Sequence, residues 1–224
     1  MTTRVIKLVP EEFYHIYNRG TDKRIIFLDQ ADYTRFIELL YLSNSEYLVN
    51  VRDIKRLVKS VFDFDRGNQL VSIGAYCLMP NHFHLLLTPV VENGISIFMG
   101  KLGTSYSMYF NRRYVRTGSL FQGTFKAQYA NTDEYLKYLY SYIHLNPVKL
   151  IDPTWKEEGI KDAVKAYEFA LAYKYSSLPD YVLDQDITAR QEAGILDRTP
   201  FPDYFTERKS IQKELFEWIS FISP

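Results

Sequence analysis

Two apolar runs, "LVSIGAYCLM" (residues 70–79) and "FHLLLTPVV" (83–91), meet at the tripeptide "PNH". Runs this short, bounded by turn residues, predict a β-hairpin whose strands are both largely buried. The flanking segments say what surrounds it. "FYHIYNRG" (13–20) alternates like a strand and stops at a turn glycine, and "LFQGTFKAQYA" (120–130) alternates too, with Gly123 marking a bend or bulge. "DQADYTRFIELLYLSNS" opens on Asp29 as a helix cap and repeats apolar residues at Tyr33, Phe36, Ile37 and Leu40. "GISIFMGKLGTSYSMYFNRRY" keeps helical spacing despite its glycines, and "NTDEYLKYLYSYIHLNPVKL" runs from a cap near Thr132 or Asp133 to Pro147. The resulting order, β-α-β-β-α-β-α, predicts a ferredoxin-like α+β fold: an antiparallel sheet with packed helices and one further helix.

Two segments stand outside that pattern. Residues 45–69 are mixed in charge and end near "DRGN", which reads as a helical insertion closed by a turn. Beyond residue 150 the chain turns acidic, is broken by Pro153, Pro179, Pro200 and Pro202, and finishes with an amphipathic helix over 207–221. The expected organisation is a domain over 1–150 and a C-terminal, mostly helical extension over 151–224, whose role the sequence leaves open.

The balanced total of 27 basic and 27 acidic residues hides an asymmetry: residues 1–150 carry 18 Lys+Arg against 13 Asp+Glu, and the remainder carries 9 against 14. No acidic residue lies between Glu92 and Asp133, where Lys101, Arg112, Arg113, Arg116 and Lys126 alternate with Tyr106, Tyr109, Phe110, Tyr114, Phe121, Phe125 and Tyr129. Cations that pair with phosphates and rings that stack on bases suit single-stranded nucleic acid. The same stretch also reads as a solvated basic face over an aromatic core. With Arg19 and Gln122, these five basic residues are the candidate DNA contacts. Cys77 is the single cysteine, the first residues lack an apolar leader, and no apolar run reaches membrane-spanning length. The expectation is a soluble, cytoplasmic protein.

Chemistry is concentrated in the hairpin. Of four histidines, His82 and His84 are separated by one phenylalanine. On a strand, residues i and i+2 share a face, so both imidazoles project together while Phe83 turns to the core. Such a pair can bind one metal ion, or one of the two can be a hydrogen-bonded core histidine. No carboxylate lies nearby in sequence. "YSYIHLNPV" offers Tyr142 and Asn146 one helical turn apart, a phenol and a carboxamide on one face. Most helix tyrosines simply pack with a wet hydroxyl, and Tyr135, Tyr138 and Tyr140 compete with Tyr142. His15 and His144 receive no catalytic role.

"MPNHFHLLLTP", "GSLFQGTFKAQY" and "YLYSYIHLNPVKL", in that order, resemble the single-tyrosine HUH transposases, particularly their REP-associated tyrosine transposase branch. The likeness runs over about residues 13–150. It implies His82, His84 and Asn146 as ligands of Mg²⁺ or Mn²⁺ and Tyr142 as nucleophile. It further implies cleavage and rejoining of single-stranded DNA near hairpins through a 5′-phosphotyrosine, by a monomer or homodimer. No GxxxxGK[ST] loop is present, in keeping with chemistry that needs no nucleotide cofactor. A free phenol with a pKa near 10 needs activation, for which Lys126 and Arg19 are candidates. Two rivals stay open: a metal-dependent phosphodiesterase in which water attacks, and a non-catalytic DNA or RNA hairpin-binding protein.

Overall fold

The computed structural model describes residues 8–48, 50–182, 190–204 and 211–219. Four strands, β1 (Tyr14–Arg19), β2 (Val71–Met79), β3 (His82–Pro89) and β4 (Lys126–Tyr129), form one sheet in the order β2-β3-β1-β4. Every neighbouring pair is antiparallel. This is the ferredoxin-like arrangement expected from the element order. The fourth strand is shorter than its alternating sequence suggests. Gly123 takes a φ of 69°, and upstream of it only an isolated bridge, Gly20 to Phe121, continues the pairing.

Helices α1 (Gln30–Leu42) and α3 (Gly94–Arg113) cover one face of the sheet. Phe36, Leu40, Phe98, Leu102 and Tyr106 pack there against Tyr14, Ile16, Phe83, Leu85 and Leu87 in one buried cluster. Asp29 caps α1, its carboxylate accepting from the N–H groups of Ala31 and Asp32. Between these helices lies the 45–69 insertion, which holds only a seven-residue helix, α2 (Val51–Leu57), and a single 3₁₀ turn at Val61–Asp63. Its anchor is Arg66, buried over the Tyr41 ring and donating to the carbonyls of Tyr41 and Gly194.

The opposite face carries α4 (Asp133–Leu145), capped by Thr132, which accepts from the Tyr135 N–H. Ala75, Cys77, Met79 and Leu86 meet Leu136, Leu139, Tyr140 and Ile143 in a second cluster. Pro147 ends α4 as expected: the chain tightens into a 3₁₀ turn over Asn146–Leu150. Outside α4 pack α5 (Trp155–Glu158), α6 (Ala163–Ala172), α7 (Leu178–Val182) and α8 (Ile211–Ile219). The terminal amphipathic helix anticipated over 207–221 is thus described for 211–219, its other residues lying outside the described set. No helix among the described residues is long and apolar enough to cross a membrane.

Residues 175–177 run along the free edge of β2. The Leu78 N–H donates to the Tyr175 carbonyl and the Ser177 N–H to the Tyr76 carbonyl. Ser177 Oγ accepts from the Tyr76 N–H at 2.9 Å and pairs with His144 Nε2 at 2.9 Å, tying α4 to the sheet through one hydroxyl. Ser177→Ala leaves two buried polar groups without that partner. The expected loss is about 2 kcal/mol, seen in chemical denaturation as a lower midpoint with an unchanged slope.

Candidate active site

Strand register assembles the site. Across the α4 face, Lys126, Tyr17, His84 and Cys77 stand opposite one another on β4, β1, β3 and β2, and Arg19 is opposite His82 one step along. The turn before β3 is held by Gly20, whose N–H donates to the Asn81 carbonyl. A Cβ on Gly20 would lie 2.3 Å from the Arg24 carbonyl oxygen, so no larger residue fits. Asn81 then fixes His82: its amide nitrogen donates to the Lys23 carbonyl, and its Oδ1 lies 2.6 Å from His82 Nδ1. An amide oxygen only accepts. His82 therefore carries its proton on Nδ1 and presents Nε2 as a bare lone pair.

His84 is buried, 6% exposed, with Nδ1 2.8 Å from Nε2 of His15 and no partner for its own Nε2. The Tyr142 ring meets the His84 ring edge-on, centroids 5.3 Å apart. Asn146 is 3% exposed, and its Oδ1 is a second buried polar atom without a hydrogen-bond partner. The same carboxamide comes close enough to His82 to favour its protonated form and to Tyr142 to favour the phenolate, although no hydrogen bond of normal geometry reaches Oδ1. The structure thus brings His82, His84, Tyr142 and Asn146 together.

Around them opens a cleft of about 780 Å³ lined by Arg19, Lys23, Lys126 and Lys149 together with Tyr17, His82, His84, Gln122 and Tyr142. Four cations and no carboxylate line it. Arg19 and Gln122 are hydrogen-bonded through their side chains. The other candidate DNA contacts lie elsewhere. Lys101 donates to the carbonyls of Ser45 and Tyr47, Arg113 pairs with Asp29 and Asp32, and Arg116 donates to Asn111. Arg112 is exposed. Tyr106, Phe110 and Phe121 are core. The acid-free stretch is therefore split between the core, the α1–α3 surface and the cleft.

Electrostatics in the cleft follow burial. His82 is pushed down to about 4, first by burial and then by Lys149; burial and the neighbouring His15 hold His84 well below the ordinary imidazole range. Both are neutral near pH 7, the form that binds metal. Burial raises the Tyr142 phenol, against which the Asn146 carboxamide acts. The ammonium of Lys156 lies 4.8 Å from the Tyr142 ring centroid.

Residues 36–146 match the model of the family "Transposase IS200 like". Over that segment the chain is similar to the IS200-like transposases. The match takes in α1, the β2–β3 hairpin with its histidines, α3, and α4 through Asn146. Among solved structures, a REP-associated tyrosine transposase bound to a REP hairpin is similar in fold, with a TM-score of 0.50 and 14% identity over 81% of this chain and 86% of that one. No curated protein sequence matches.

The site has residues that fit a divalent cation. Among the described residues no group of three or more His, Cys, Asp or Glu could hold a metal, and the donors gathered here are two imidazoles and a carboxamide. A buried polar atom without a partner costs on the order of 1–3 kcal/mol. Two of them, His84 Nε2 and Asn146 Oδ1, belong to the very side chains that the sequence marks as ligands. Sequence reasoning missed Tyr17, which reaches the site through strand register, Lys23, which comes from the turn after β1, and Lys149 and Lys156, from the chain after α4. It also left His15 aside.

Proposed function

We propose that this protein cleaves and rejoins single-stranded DNA next to hairpins, with Tyr142 as nucleophile. The observation that carries the reading is the placement of a cleft-lining phenol beside His84, whose Nε2 lacks a partner, in a cleft where every charged lining residue is a cation.

His82 Nε2, His84 Nε2 and Asn146 Oδ1 would hold a divalent ion, Mg²⁺ or Mn²⁺. When bound, the ion supplies Lewis-acid stabilisation of charge on the scissile phosphate. All three ligands are neutral, so the ion's charge remains available to phosphate oxygens, whereas carboxylate ligands would offset it. Imidazole suits Mn²⁺, and oxygen donors suit Mg²⁺.

The remaining steps belong to the chain's own side chains. Arg19, Lys23, Lys126 and Lys149 bind the backbone of the strand and hold it across Tyr142. The phenol gives up its proton as its oxygen attacks phosphorus, the P–O3′ bond breaks, and the departing 3′-oxygen takes up one proton to become a hydroxyl. The 5′-phosphate is left on Tyr142. Rejoining reverses these events with a 3′-hydroxyl as nucleophile. The phosphodiester is conserved, so no nucleotide is consumed. The Asn146 carboxamide favours the phenolate against the effect of burial, and the ammonium of Lys156 lies over the Tyr142 ring.

On this reading residues 1–150 are the catalytic domain and 151–224 a buttress that backs the tyrosine helix. Trp155 packs beside Tyr142 and α6 against α4 in support. Histidines and tyrosine meet within one chain, so a monomer holds a complete site, and a homodimer is not required to assemble it.

A protein–DNA adduct that survives denaturation and depends on a divalent cation is the deciding test. Cleavage without adduct would instead favour the water-attacking phosphodiesterase. Binding gives an independent check. A hairpin with a single-stranded flank should bind more tightly than blunt duplex of the same sequence. If all four cations meet phosphates, log Kd should rise with log salt at a slope of about 3. Equal affinity for both forms at fixed salt counts against the reading.

A further inference from the structure

His15 lies on β1, outside the matched segment 36–146, yet its Nε2 is hydrogen-bonded to Nδ1 of the His84 ring. It is paired with Leu86 in the ladder, so it is a diagonal neighbour of His84 on the same face. Both rings are buried, at 5% and 6% exposure, and they stack with centroids 5.0 Å apart and planes 25° from parallel.

Two neutral imidazoles can share one hydrogen bond in two ways. If His15 Nε2–H donates, His84 Nδ1 is bare and the His84 proton sits on Nε2, where it blocks a cation. If His84 Nδ1–H donates, His15 Nε2 accepts and His84 Nε2 is left as a lone pair. His82 has no such ambiguity, because Asn81 Oδ1 can only accept. The two neighbouring rings would thus present matching Nε2 atoms only in the second arrangement.

We infer that His15 is a positioning residue: by accepting from His84 Nδ1 it fixes the tautomer and ring plane that turn Nε2 toward a divalent cation. The inference rests on the metal-site reading proposed above. Partners of metal-binding histidines are commonly carboxylates. A neutral imidazole in that place orients the ligand equally well but adds no negative charge to a cleft that otherwise lacks one.

The test is a long-range ¹H–¹⁵N correlation of the imidazole rings at neutral pH without metal, beside Mn²⁺ titrations followed by the electron-spin-resonance signal of the free ion. The proteins are the wild type, His15→Gln and His15→Leu. The expected wild-type spectrum shows His84 protonated on Nδ1. In His15→Gln the side-chain oxygen takes the acceptor's place, so the tautomer and most of the Mn²⁺ affinity persist. In His15→Leu the proton moves to Nε2 and Mn²⁺ binds more weakly by about 10–100-fold. A wild-type His84 protonated on Nε2 overturns the inference, and so does unchanged Mn²⁺ affinity in His15→Leu. Either result leaves the metal reading standing if wild type still binds Mn²⁺ and His84→Ala does not. Wild type that binds no Mn²⁺ overturns both. Should His15→Leu fail to fold, the wild-type tautomer decides alone.

Discussion

Tyr142→Phe is expected to abolish the covalent protein–DNA adduct, by a factor on the order of 10⁴ or more, while leaving hairpin affinity within about twofold of wild type. The substitution removes one oxygen and keeps the ring. Its edge-on contact with His84 and its stacking on Tyr138, at 5.9 Å and 13°, are therefore retained. The structure also chooses the controls. Tyr138 and Tyr140 are buried, the latter among Tyr181, Phe201 and Tyr204 on the far side of α4. The real competitor is Tyr17, which lines the same cleft with its ring 5.9 Å from that of His84. The measurement is denaturing electrophoresis of end-labelled hairpin DNA with Mn²⁺. The label on the strand 3′ of the cut should travel with the protein in wild type, Tyr17→Phe and Tyr140→Phe, and in none of the Tyr142→Phe lanes. Adduct that survives in Tyr142→Phe and vanishes in Tyr17→Phe would sink the assignment and move the nucleophile from helix to sheet.

That competitor marks where reading a sequence stops. The hairpin at 70–91 is legible because its strands are buried on both faces and so carry unbroken apolar runs. The caps at Asp29 and Thr132 are legible because one side chain and its neighbouring N–H groups decide them. His82, His84, Tyr142 and Asn146 could be marked because spacing puts each pair on one face and the resemblance joins the two pairs. Proximity of Tyr17 and His15 to His84 has no local signature. It follows from the β1–β3 register, which depends on the whole sheet.

The acid-free stretch shows the same limit from the other side. Counted along the chain, Arg113 is an unpaired cation, but folding brings it to Asp29, the cap of α1, and to Asp32 in its first turn. Tyr106, counted as a stacking platform, donates to the Ile26 carbonyl inside the core. Charge patterning cannot see such long-range neutralisation. The 45–69 insertion was likewise opaque, because Arg66 satisfies carbonyls 25 and 128 residues away rather than its own neighbours.

Replacing both His82 and His84 by alanine should remove divalent-ion-dependent cleavage entirely, and the thermal response to Mn²⁺ with it. Wild type holds His84 Nε2 and Asn146 Oδ1 desolvated and unpaired, so a cation that binds there stabilises the folded chain. At 100 times Kd the stabilisation is about 2.7 kcal/mol, which for a chain of this size raises the melting point by about 5–10 °C. The double variant has one potential ligand left and should show no rise. Its metal-free melting point is a separate quantity. His84 is buried beneath Tyr142 and hydrogen-bonded to His15, so its removal leaves a void and an unpaired partner, and the baseline should fall. The comparison that decides is therefore the shift on adding Mn²⁺, not the starting temperature. If the histidines only support the core, wild type and variant will respond to Mn²⁺ alike while differing in baseline. A wild-type shift that the double variant lacks, together with retained hairpin binding through Arg19, Lys23, Lys126 and Lys149, separates the metal site from both the core and the DNA-binding cleft that surrounds it.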